Sequence, residues 1–180
     1  MIRMLLIICC FYSVQQDEPV LPWSDSYKVS WKDFKGTPKL NESAVAITAS
    51  GIAFEFSIRE TEDEQVVSFT SNVEALFYPE KSWFKPNHAD DHILGHEQLH
   101  FDITELFASK LRQRISKLNK SNHLSKDLKA AHESVLKELA GFQDTYDNET
   151  GFSRKKSSQA EWEVSVQSKL IELAKYKSVN

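Results

Sequence analysis

The sequence predicts an α+β fold in which a small antiparallel sheet is followed by three helices. Two observations predict it. Apolar residues alternate with small or polar ones through residues 44–59 and again through 65–78, the period of strands with one buried face. Beyond Pro86 the apolar spacing changes to threes, fours and sevens and keeps that helical period to the end. There is no internal repeat and no low-complexity tract.

Taken in order, the chain begins with a segment of a different character. Arg3 precedes an apolar run over residues 4–11, and polar Gln15, Gln16, Asp17 and Glu18 follow. The run is far shorter than the ~20 residues of a membrane span. It reads as a bacterial signal peptide over residues 1–14, cut between residues 10 and 16, ahead of one domain over 15–180. Both cysteines, Cys9 and Cys10, lie inside it, so the mature chain has no disulfide framework. A lipid anchor on one of them is a variant of the same export reading. The expected location is therefore secreted, periplasmic or elsewhere in the cell envelope. Of 180 residues, 41% are hydrophobic, enough for one core, and the net charge is −4. No basic tract interleaved with aromatics points to nucleic acid.

Residues 28–31 alternate as a short strand would, and residues 33–38, with Gly36 and Pro38, read as a turn. In 44–59, Ile52, Phe54, Phe56 and Ile58 mark the buried face, and Gly51 marks a bulge or turn. An acidic loop over 60–64 leads to the strand at 65–78, which Pro79 ends. The first helix is expected over 89–118, capped by Asp90 or Asn87, with Ile103, Phe107 and Leu111 on its apolar face. The second is expected over 125–146. A loop over 147–157 leads to the third, over 158–176, with Ser158 and Glu161 as a capping box.

The first helix carries the chemistry. His96-Glu97-Gln98-Leu99-His100 is the H-E-x-x-H pattern of zinc hydrolases. Residues four apart on a helix are neighbours, so two imidazoles can meet one zinc ion. Glu97, about 100° round the axis, is offset from that pair but can reach a water held by the metal and take its proton. His92 falls in the same row one turn earlier and reads as a helix-face residue; His88 reads as pre-helical.

Several stretches together resemble a known family. They are Trp31 to Pro38, Ser82-Trp83, the helix from Leu94 to Glu105, Gln143, Tyr146-Asp147 with Glu149-Thr150, and Gln159 with Trp162. They are similar to a bacterial family of uncharacterised proteins described as predicted secreted zinc-dependent proteases. The resemblance implies an exported metallopeptidase of minimal zincin-like fold acting on a peptide or protein. It implies no particular substrate. One position departs from the pattern: after Tyr-Asp-x-x-Thr the family carries x-His, and here Phe152 follows Gly151.

A catalytic zinc needs a third protein ligand and one open position. Among the acidic and His residues after the first helix, Asp147 is the expected ligand, with Glu149 as the alternative, since both fall where the second helix is expected to end. Tyr146 beside them is expected to donate a hydrogen bond to a developing oxyanion. A downstream Asp with a nearby Tyr resembles the aspzincin arrangement. Asp102 is expected to orient a ligating imidazole through its free ring N–H. Glu105, about 180° from His96, is no ligand. Two functions follow: a zinc peptidase with Glu97 as base, or a catalytically inactive envelope binding protein on a peptidase-like scaffold.

Overall fold

The computed structural model describes residues 18–39 and 43–178. The expected signal peptide over 1–14, with Cys9 and Cys10, lies outside the described residues. Among the described residues, five strands and three α-helices follow one another: β1 (Leu21–Pro22), β2 (Ala46–Ile47), β3 (Ser50–Glu60), β4 (Val66–Phe77), β5 (Trp83–Phe84), α1 (Asp91–Ile115), α2 (Leu124–Thr150) and α3 (Lys156–Glu172). The α+β class and the strands-then-helices order are those the sequence predicts. Among the described residues no helix is long and apolar enough to cross a membrane.

The sheet is built on one long hairpin. β3 and β4 pair antiparallel from Ser50↔Phe77 to Arg59↔Ser68, and β1 adds two residues beyond β4, at Leu21↔Phe77 and Pro22↔Leu76. The pleat turns Ile52 of β3 and Val73, Ala75 and Phe77 of β4 inward, where they are buried. Gly51 lies inside regular pairing; the bulge is at Arg59/Glu60, where the hairpin ends. A second sheet, β2 with β5, pairs Ala46↔Phe84 and Ile47↔Trp83.

The strand expected over 28–31 does not form. Val29 is buried and donates its backbone N–H to Gln98 Oε1 at 2.8 Å, so a side chain of α1 takes the place of a strand partner. Ser30 then turns the chain into a single 3₁₀ turn, Trp31–Asp33, with its backbone N–H on Asp33 Oδ2 at 2.7 Å.

α1 is the centre of the molecule. Asp90 caps it by accepting the Ile93 N–H at 2.8 Å, and Arg112 and Arg114 sit in its last turn, as the helix dipole favours. Every residue from Leu99 to Ser109 is buried, because β3 and β4 cover one side of the helix while α2 and α3 cover the other. Five of those eleven residues, His100, Asp102, Thr104, Glu105 and Ser109, are polar, and each must find partners inside the protein.

α2 runs a full turn beyond the expected end at 146 and stops at Thr150, where Gly151 takes the left-handed conformation with φ 60°. The loop expected from 147 is therefore shorter, and Asp147 stands on the last turn of the helix. α3 starts two residues before Ser158, with Lys155 at its N-cap, and the Ser158–Glu161 capping box is not formed. Its expected end is replaced by a break after Glu172 and a 3₁₀ turn over Ala174–Tyr176.

Candidate metal centre

The first helix presents its motif to the second. His96 and His100 lie on the same face of α1, with ring centroids 4.9 Å apart and planes at 88°. Asp147, from the last turn of α2, faces both. Its Oδ1 is 3.1 Å from His96 Nε2 and 3.0 Å from His100 Nε2. One ligand atom from each of the three lies within 4.8 Å of the others, and among the described residues no other such group of three could hold a metal ion. Both His side chains are nearly enclosed, while Asp147 keeps 27% of its side-chain surface exposed, so the open side of the cluster lies at the carboxylate.

Charge follows from this packing. Burial works to raise the Asp147 carboxyl, but hydrogen bonds from His100 and His96 outweigh it and hold the group far below the usual carboxylate range. Burial lowers His100, and the hydrogen bond to Asp147 with the charges of Glu97 and Asp147 more than reverses it. A carboxylate oxygen facing two imidazole nitrogens is a donor set that could hold a cation. A divalent ion can take the place that a proton holds here, and the set of two imidazole nitrogens and one carboxylate oxygen suits zinc with a position left open. The residues present therefore fit the metal.

Glu97 is buried at 5% exposure, and its Oε2 has no hydrogen-bond partner. Its backbone carbonyl accepts from Thr48 Oγ1 at 3.2 Å, which brings the end of β2 to this turn of α1.

Tyr146 is fully buried and takes a different place from the expected one. Its ring stacks on His96 at 4.5 Å and meets His100 edge-on at 4.9 Å, and its hydroxyl donates to the His96 carbonyl at 3.3 Å. The phenol is thus a wall behind both imidazoles, with its hydroxyl on the backbone carbonyl of His96. Burial first, and then the charges of Glu97, Glu163 and Asp147, push its ionisation well above the usual phenol range.

Asp102 also differs from expectation. It accepts from Trp23 Nε1 at 2.7 Å, Gln98 Nε2 at 2.8 Å, Lys28 Nζ at 3.3 Å and Gln167 Nε2 at 3.4 Å. It lies about 120° round the axis from His96 and about 160° from His100, and instead ties the N-terminal segment and α3 to α1. The ring nitrogen of His100 that faces away from Asp147 is met by Gln143, 2.8 Å from Nδ1. The corresponding Nδ1 of His96 is buried and has no partner.

The remaining candidates are occupied elsewhere. Glu149 accepts from Trp162 Nε1 at 2.8 Å, Glu138 pairs with Arg114, and the His132 ring lies against Phe54. His92 is 2.6 Å through Nε2 from the Ser153 carbonyl, to which it must donate, and His88 is an exposed turn residue. Phe152 is exposed, in the left-handed region at φ 54° with Ser153 at φ 68° after it. No curated protein and no solved structure matches the chain significantly. A family model described as bacterial protein of unknown function (DUF922) matches residues 34–154, a span that holds the hairpin, the motif helix and Asp147, and the chain belongs to that family.

Proposed function

We propose that this protein is an exported bacterial zinc-dependent peptidase in which Glu97 acts as general base. The observation that carries the reading is the meeting of His96 Nε2, His100 Nε2 and Asp147 Oδ1 beside a buried carboxylate with an unpartnered oxygen. His96, His100 and Asp147 would hold the ion. Zinc, when bound, lowers the pKa of water from 15.7 towards about 7 and polarises a carbonyl. The chain's own residues do the rest. Glu97, enclosed and without a competing donor on Oε2, takes the proton of the attacking water and returns it to the leaving amine. Tyr146 keeps both imidazoles in place, stacked on His96 and edge-on to His100. β2 reaches the site through Thr48 and carries exposed Ile47, which suits strand-like pairing with an extended peptide.

Glu97→Gln is the test. Gln nearly matches the shape but cannot accept the proton, so hydrolysis of an unfolded protein substrate should fall by ~10²–10⁴-fold while zinc content stays at the parental level. Hydrolysis at the parental rate would remove Glu97 from this role. A zinc-loaded parent with no hydrolysis would instead favour the inactive binding protein.

Export is part of the same proposal. N-terminal sequencing of the native protein should find the chain starting after a cut within residues 10–16, in the envelope or the medium. An intact Met1 in the cytoplasm would reject it.

A further inference from the structure

We infer that Gln143 is a positioning residue for this centre, holding His100 with its proton on Nδ1 and its Nε2 directed at the metal position. The inference rests on the metal reading and adds to it a hydrogen-bond chain that runs from the sheet to the ligand.

The chain of bonds has one consistent set of proton positions. Thr104 Oγ1 donates its single proton to the His100 carbonyl at 3.0 Å. The contact between Thr104 Oγ1 and Ser50 Oγ, 2.7 Å long, must then be donated by Ser50. Gln143 Nε2 donates to the same Thr104 oxygen at 3.3 Å, which fills its second lone pair. With the amide nitrogen committed to Thr104, the amide oxygen is the end that faces His100 Nδ1 at 2.8 Å. An oxygen only accepts, so Nδ1 keeps its N–H, and an ion taking the place of the proton that Nε2 gives Asp147 would meet the lone pair on Nε2. That is the nitrogen 3.0 Å from Asp147.

The spacing makes this possible. Gln143 and Asp147 are four apart on α2, as His96 and His100 are on α1, so each helix offers a pair to the other. The two imidazoles are held differently. His96 has no partner on Nδ1 and relies on the Tyr146 stack, whereas His100 is fixed by hydrogen bonds through Gln143 to β3.

The test uses zinc and cobalt(II) with the full mature protein and two variants. Gln143→Met keeps the length and the helix propensity but accepts nothing useful from Nδ1. It should weaken zinc by ~10–100-fold, measured by chelator competition, and alter the visible absorption of the cobalt(II) form. Gln143→Glu keeps an acceptor at the same place, so it should hold zinc at the parental level or above and retain the parental cobalt spectrum. Both variants should melt near the parental temperature without metal. Parental affinity in Gln143→Met, or equal losses in the two variants, would overturn the inference while leaving the metal assignment intact. A parent that binds no zinc would overturn the assignment, and this inference with it.

Discussion

A single carboxylate oxygen of Asp147 stands 3.0 and 3.1 Å from two imidazole nitrogens, and that convergence sets Asp147 apart from its neighbours as the candidate ligand at the residue scale. Glu149, two residues on, points to Trp162. Elemental analysis should therefore find about one zinc per parent chain. His96→Ala, His100→Ala and Asp147→Ala should each lose most of it, and Glu149→Ala should keep it. Loss in Glu149→Ala with retention in Asp147→Ala would reverse the choice. The motif His96, Glu97 and His100 was legible because i, i+4 geometry is local. Asp147 was legible as a candidate because few acidic residues fall near a plausible helix end. The orienting partner was not. Asp102 stands two residues past the motif, yet the residue that meets His100 is Gln143, 43 positions along the chain and on another helix. Nothing in a single sequence marks which amide will arrive there, and the same holds for the direction of the Tyr146 hydroxyl.

At the scale of elements, the long patterns were readable and the short ones were not. β3, β4 and the three helices have enough residues for a period to show. β1, β2 and β5 have two residues each, and no period exists in two residues. They are held by tertiary bonds instead, as where Trp23 N–H reaches the Ala75 carbonyl at 2.9 Å. The segment around Gly36 shows how tight such packing is. Its N–H donates to the Ser82 carbonyl at 2.8 Å, and an added Cβ would stand 2.9 Å from the carbonyl oxygens of both Glu80 and Ser82. Those are backbone atoms and cannot rotate aside. Gly36→Ala should cost ~1–3 kcal/mol in urea unfolding, the usual penalty of overpacking, with zinc content unchanged. A variant as stable as the parent would show that this crossing is looser than its geometry. The end of α2 matters for the opposite reason. Its extra turn, closed by Gly151, carries Asp147 on a helix and so fixes it against α1, where the expected loop would have left it less constrained.

Over the whole molecule, one buried ion pair joins pieces that the site needs held together. Glu105 is fully buried on α1, and it accepts from Arg112 Nη1 at 2.7 Å, Ser109 Oγ at 3.0 Å and the Ser178 N–H at 3.0 Å. Arg112 in turn donates to the Val73 carbonyl of β4 at 2.7 Å and to the Tyr176 carbonyl at 2.9 Å. Helix, sheet and the segment after α3 thus meet at two side chains. A second pair, Arg114 with Glu138, has similar length at 2.7 Å but side chains 37% and 41% exposed. The two should differ sharply. Solvent screens the exposed pair, so Arg114→Ala should cost no more than about 1 kcal/mol. Arg112→Met strips the partner from a carboxylate with no access to water, and breaking a buried pair from one side costs ~3–5 kcal/mol. Glu105→Gln should fall between, since its amide still accepts from Arg112. Thermal and urea unfolding of the three variants gives the order directly. If Arg112→Met proves no worse than Arg114→Ala, the junction is not what holds the sheet and the C-terminal segment to α1.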